Sequence, residues 1–235
     1  MNALSNAHAM PGDKCPNRTD ASPSASPELN RSQAGVSVEY APRKGKQWYV
    51  LRVTYGRVNP ARLFLEEKGV TYYIPYHRVM KLVAGKRTWV SEPLLSNLLF
   101  VYADKEEIGM AVNNPREQVH LSYYYNHFKT NEFGKNPPLT IDHATMLNFI
   151  RVTSVDNEHI RVVQPRNCHY KSGDTVRIVD GEFKGVEGKV ARIAGQQRVV
   201  VELADLCLVA TAYIPTAFIE LKEETNANTA NETTI

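Results

Sequence analysis

Apolar and polar positions divide the chain into a patterned middle and two polar ends. Residues 1–45 are dominated by Ser, Pro, Ala and Asn, as in Ala21-Ser-Pro-Ser-Ala-Ser-Pro27, and residues 223–235 (EETNANTANETTI) read alike. Such stretches bury too little apolar area to offset chain entropy, so both ends are expected to be disordered. Pattern begins at Gln47. Trp48-Tyr-Val-Leu-Arg-Val53 is a β-rich run between Gly45 and Gly56 and predicts a strand. Asn59-Pro60 predicts a helix start, with Ala61, Phe64, Leu65 and Lys68 at helical spacing and Gly69 as the stop. Val70–Met80 returns to β character. Val83–Arg87 supplies a hairpin turn, Thr88–Val90 its second arm, and Leu98–Tyr102 a buried-type strand.

Asp104 and Glu107 have capping-box spacing before a second helix with Ile108, Ala111 and Val112 as its stripe. Val119–Phe128 reads as a strand. Pro137–Thr140 breaks the chain and caps a third helix, with Met146, Phe149 and Ile150 on one face. The order β-α-β-β-β-α-β-α predicts an α+β domain, three helices on a mostly antiparallel sheet, over residues 46–153. Residues 154–169 read as a linker, with alternation at His159–Val163 that allows a short strand. Residues 170–222 are all-β in pattern: Gly173–Val179, Lys189–Ile193, Arg198–Leu203, Leu206–Tyr213 and Phe218–Leu221. Five short strands in that length predict a small SH3-like barrel. Val176, Ile178, Val190, Val199, Val200 and Val201 favour strands over helices there.

Composition narrows the function classes. The chain has 235 residues, 43% hydrophobic and 23% charged, and no apolar run long enough for a transmembrane helix. Its polar start predicts no secretory signal, and Cys15, Cys168 and Cys207 are too scattered for a CxxC site. Reduced thiols in a cytoplasm are expected, and no membrane partner. The net charge of +3 hides an asymmetry: Ala41–Ala103 holds eleven Lys/Arg against three Asp/Glu, about +8. A basic first half points to nucleic acid or an acidic partner. The seven histidines show no metal-ligand spacing, and no nucleophile motif is present, so neither an enzyme, a metal nor a cofactor is expected.

Gly173-Asp174 before a strand, then Gly181-x-Phe183-Lys184-Gly185-x-x-Gly188-Lys189-Val190, fits neither dinucleotide- nor P-loop spacing. It closely resembles the KOW motif, a small barrel that contacts RNA or protein. In the first half, Trp48-Tyr-Val, the helix after it, and Gly85-Lys-Arg-Thr-x-Val-Ser-Glu-Pro-Leu94 leading into Asn97-Leu-Leu-Phe-Val101 resemble the NusG family. The Gly85–Leu94 stretch looks most like its specialised paralogue RfaH. The polar start, length and composition are similar to the UpxY regulators of capsular polysaccharide operons.

The resemblance implies a transcription elongation or antitermination factor. Its N-terminal domain would grip the clamp helices of bacterial RNA polymerase through an exposed apolar depression, to which Leu98 and Phe100 would contribute. Strand alternation alone leaves Phe100 free to face the core. Arg52, Arg57 and Arg62 are expected to hold nucleic-acid phosphates, of non-template DNA or nascent RNA, beside Thr54 and Tyr55 where RfaH-type proteins read DNA. Lys86 and Arg87 tip a basic hairpin facing the same ligand. The KOW module would recruit a ribosomal protein or a termination factor.

The chain departs from the family where Ser96-Asn97-Leu98 replaces Pro-Gly-Tyr, which changes the bend and removes an aromatic contact. Gly109-Met110-Ala111 stands where RfaH has a polar run that meets the opposite polymerase lobe. Tyr123–Tyr125 with His127, Phe128 and Lys129 resembles a stacking platform for single-stranded bases, or else an edge strand burying alternate tyrosines. The alternative class is a KOW-containing RNA-binding or ribosome-associated protein that does not bind polymerase.

Overall fold

The computed structural model describes residues 38–54, 57–112, 121–204 and 206–222. The expected disorder of residues 1–37 and 223–235 lies outside these. Residues 38–45 are built into the fold: a 3-10 turn at Val38–Tyr40 ends with Tyr40 buried, its ring 5.5 Å from Trp48. One large aromatic side chain is enough to hold a segment that is otherwise polar.

The first half runs β1 (Gln47–Val53), α1 (Val58–Glu67), β2 (Thr71–Tyr73), β3 (Tyr76–Val83), β4 (Lys86–Pro93), β5 (Leu98–Ala103), α2 (Lys105–Val112), β6 (Leu121–Tyr123), β7 (Thr140–Ile141) and α3 (His143–Thr153). The main sheet has the order β2-β5-β1-β6, with β7 also on β1, and every pairing is antiparallel. Trp48, Val50, Phe100 and Tyr102 point to one face, packed with Met146, Phe149 and Ile150 of α3. Leu51, Val53, Leu99 and Val101 point to the other, against Ala61, Phe64 and Leu65 of α1 and Ile108 of α2. Covering both faces is why β1 and β5 read as continuous apolar runs rather than alternating ones.

Local signals explain most boundaries. The capping box closes as expected: Asp104 Oδ1 accepts the N–H groups of Glu106 and Glu107, and Glu107 Oε2 accepts the N–H of Asp104. Helix α1 begins two residues earlier than expected, which leaves Pro60 in its first turn, where its missing N–H costs nothing. The β run at Val70–Met80 breaks at Ile74-Pro75, because proline cannot donate to a ladder. The cap of α3 is Asp142, accepting the Thr145 N–H, rather than Thr140, which is in β7. The strand expected over Val119–Phe128 is only Leu121–Tyr123 within the described residues.

The second half is β8 (Arg161–Val163), β9 (His169–Ile178), β10 (Glu187–Ile193), β11 (Gln196–Leu203), β12 (Cys207–Ala210) and β13 (Ile219–Leu221). Its antiparallel sheet has the order β13-β9-β10-β11-β12-β8. This corrects one expectation and fills in another. The short strand allowed within the linker forms at Arg161–Val163, as edge strand β8 paired with β12. The sheet does not close into a barrel: among the described residues β8 and β13 are unpaired edges. Helix α3 joins the two halves. Val176, Ile178, Phe183, Val186, Val199 and Val201 share one apolar cluster with Phe100 and Phe149. Asn148 of α3 accepts the Glu187 N–H through Oδ1 at 3.2 Å.

Three backbone positions yield predictions. A Cβ on Gly188 would lie 2.5 Å from the Val200 carbonyl oxygen, so the close approach of neighbouring strands requires glycine. Gly188→Ala is expected to cost on the order of 1–3 kcal/mol in denaturant unfolding. Gly109→Ala, mid-helix with open space around it, is expected to stabilise by roughly 0.5–1 kcal/mol. Asn97, leading into β5, has φ +63° while its carbonyl accepts the Val53 N–H at 2.8 Å. Asparagine takes this left-handed conformation more readily than most residues, so the bend forms here without a glycine. Asn97→Gly should leave stability within about 0.5 kcal/mol, whereas Asn97→Val should lose about 1–2 kcal/mol by thermal melting.

Candidate polymerase and nucleic-acid interface

The antiparallel register sets Leu98 directly across from Arg52, at the end of the sheet beyond the Val50–Phe100 pair. Leu98 and Leu95 are half-buried, packed at the margin of the cluster beneath α3. Arg52 is exposed and lies over the Tyr124 ring, 5.4 Å from its centroid. A guanidinium there is attracted to the ring face while its N–H groups stay available to an anion. One apolar and one cationic candidate therefore share a single corner of the fold.

Phe100 does not share it. The resemblance placed its ring on the surface, but Phe100 is 0% exposed. Its ring meets Phe149 edge-to-face at 5.3 Å, because α3 covers that face of the sheet. Phe100 is core in this arrangement.

The cations separate by their partners. Arg62 is engaged, its Nη1 2.7 Å from Glu66 Oε1, a carboxylate that also accepts the Tyr72 hydroxyl. Burial, then that hydrogen bond to Glu66, pushes the Tyr72 phenol up to about 12. Arg62 is thus neutralised locally. Arg57, at the start of α1, is exposed and has no ion-pair partner among the described residues, as is true of Lys86 and Arg87 at the hairpin turn. Tyr55 lies outside the described residues.

The β3–β4 hairpin forms a two-stranded sheet of its own. Arg78 lies over the Trp89 ring at 5.7 Å, and Lys81 is paired with Glu92. Met80, Leu82 and Trp89, on the same side as Arg78 by register, are exposed. The hairpin therefore presents an apolar and basic surface, where the sequence reading had marked only its basic tip.

In the second half, Gly173 and Asp174 lie within β9. Gly181 and Gly185 take φ of +82° and +84°, and the turn is closed by the Gly185 N–H on the Ile178 carbonyl at 2.7 Å. Phe183 is buried beneath this turn, while Lys184 and Lys189 are exposed. The glycines and Phe183 thus build the turn, and the two lysines are what it presents outward. Glu187 is held by Arg177 and Lys222, each at 2.6 Å. The Lys222 hydrogen bond is the largest effect; together with the hydrogen bond of Arg177 it outweighs burial and keeps the carboxyl below the usual carboxylate range.

The tyrosine stretch divides as an edge strand does. Tyr123 packs toward α1 and α2, and Tyr124 toward the α3 side. The strongly exposed rings are Phe128 and Phe133, which alternation did not distinguish. Burial pushes the Cys207 thiol up to about 12, leaving little thiolate at neutral pH. Among the described residues no group of three His, Cys, Asp or Glu side chains is placed to hold a metal, and no helix is long and apolar enough to cross a membrane.

Residues 46–132 match a family model described as "Transcription termination factor nusG". Among solved structures, one titled "Domain interaction in Thermotoga maritima NusG" matches at 16% identity and TM-score 0.38, covering 76% of this chain and 98% of that one. The segment from β1 through β6, which carries Arg52, the hairpin and Leu98, is therefore similar in sequence to the NusG family of transcription factors.

Proposed function

We propose that this protein is a cytoplasmic NusG-like elongation factor that binds the clamp helices of bacterial RNA polymerase and favours processive transcription. The family match over residues 46–132 carries the reading. Operon-specific antitermination of the capsular polysaccharide type rests on the RfaH-like stretch Gly85–Leu94 and on Ser96-Asn97-Leu98. The protein supplies contacts rather than chemistry. Leu98 of β5, with Leu95 just before the strand, is a half-buried apolar contact at the sheet corner, and Phe100 anchors β5 in the core.

Arg52 beside Leu98 fits nucleic acid leaving the polymerase cleft, with Arg57 further along the chain and Lys86 and Arg87 on the hairpin. These are phosphate contacts, which orient a strand without reading its sequence. The KOW-like turn presents Lys184 and Lys189 to a second partner, a ribosomal protein or termination factor.

Leu98 separates contact from fold better than Phe100, since an aspartate at position 100 would place a charge in the core and unfold the domain. The full chain is expected to bind purified core RNA polymerase, and Leu98→Asp to weaken binding at least tenfold, about 1.4 kcal/mol, with an unchanged circular dichroism spectrum. Terminator read-through should fall in parallel. Equal binding by both proteins would move the contact surface away from Leu98. Absence of polymerase binding, with RNA bound instead and lost steeply as salt rises, would favour the ribosome-associated reading.

A further inference from the structure

Between β6 and β7 the chain leaves the edge of β1 and returns to it. The base of this excursion is closed by the Tyr124 N–H on the Val50 carbonyl, the Leu139 N–H on the Tyr124 carbonyl and a bridge between Tyr125 and Pro138. Three asparagines knit the loop above. Asn126 Oδ1 accepts the N–H groups of Phe128 and Lys129. Asn131 Oδ1 accepts those of Phe133 and Lys135. Asn136 Nδ2 donates to the carbonyls of Asn126 and Lys129. Asparagine side chains mimic backbone turns in this way, so the loop has a built shape.

That shape displays rings. Phe133 is 84% exposed, Phe128 77% and Tyr125 46%. Such grouped exposure on a pinned loop marks a contact surface. The charges around it are chiefly positive: Lys129 and Lys135 have no ion-pair partner among the described residues, and Glu132 is the single carboxylate between residues 121 and 141. At the base, Arg52 stacks on Tyr124, whose ring is 5.7 Å from His127.

We propose that this loop binds single-stranded nucleic acid, with unstacked bases lying on Phe128, Phe133 and Tyr125 and phosphates held by Lys129, Lys135 and Arg52. Single strands offer base faces to exposed rings, whereas a duplex buries them in its own stack. Alternating rings and cations match the alternating bases and phosphates of such a strand. DNA and RNA share this chemistry. The inference stands apart from the Leu98 contact and does not need polymerase.

The test is fluorescence anisotropy of the full chain with dye-labelled oligo(dT) and oligo(U) of about fifteen nucleotides, beside a DNA duplex of the same length. Single strands should bind more tightly than duplex, with affinity falling as salt rises. Phe128→Ala/Phe133→Ala and Lys129→Glu/Lys135→Glu should each weaken binding at least tenfold at unchanged melting temperature, since all four side chains are exposed. Leu98→Ala, which adds no charge across from Arg52, should bind oligonucleotides as the unaltered chain does, so that failure here and failure of the clamp reading are told apart. The tighter of the two single strands identifies the source. The proposal is overturned by equal affinity for duplex, by an aromatic variant that binds as well as the unaltered chain, or by no oligonucleotide binding. It is also overturned if loop variants lose polymerase while keeping oligonucleotides, which would make the loop a protein contact.

Discussion

The packing of Phe149 against Phe100 and Tyr73 is the contact on which the rest of the structure depends. Phe149 is fully buried at the centre of α3, with its ring 5.3 Å from Phe100 and 6.2 Å from Tyr73. The Tyr73 hydroxyl pairs with Thr153 one turn later, so the end of the helix is fixed by a buried polar contact as well as by apolar burial. The apolar contact is the larger effect: truncating a buried phenylalanine typically costs about 3–5 kcal/mol, against about 1 kcal/mol for a neutral hydrogen bond. With one side of α3 held on the first sheet, Leu147 and Asn148 are turned to the second. One helix thereby makes two sheets share a core.

That sharing decides which candidate residues reach a partner. Phe100 is consumed by the core, and Leu98, two positions along the same face of β5, is left at its margin. The cations sort likewise. Glu66 neutralises Arg62, while Arg52 keeps an outward guanidinium because its neighbour is an aromatic face rather than a carboxylate. The basic excess of the first half therefore includes open cations at the sheet corner and the hairpin tip, while Arg62, Lys81 and Lys46 are each held by a carboxylate. Function on this fold depends on which side chains the core leaves over.

Much of this was legible in the sequence wherever a local rule governs. The capping box at Asp104 and Glu107, the hairpin turn at Ala84-Gly85, the apolar runs of β1 and β5 and the glycine-rich turn after β9 follow from side-chain chemistry within a few residues. What escaped was set by distant partners. Tyr40 belongs to the fold because Trp48 and Tyr73 receive it, which no composition rule for a polar segment reports. Alternation favoured the core for Phe100 and the resemblance favoured the surface; Phe100 is core because α3 covers that face of β5. Phe128 stood out beside the tyrosines, but the exposed ring of Phe133 escaped because three asparagines, rather than a ladder, hold their loop.

The shared core is tested most directly by native-state hydrogen exchange on the full chain and on Phe149→Ala. The account predicts that the slowest amides of β1 and β5 and those of β10 and β11 open with the same free energy in the unaltered chain. It further predicts that Phe149→Ala lowers protection in both sheets together. Undiminished protection of β10 and β11 while β1 and β5 become labile would contradict it, and would make the second sheet an independently stable body that α3 merely touches.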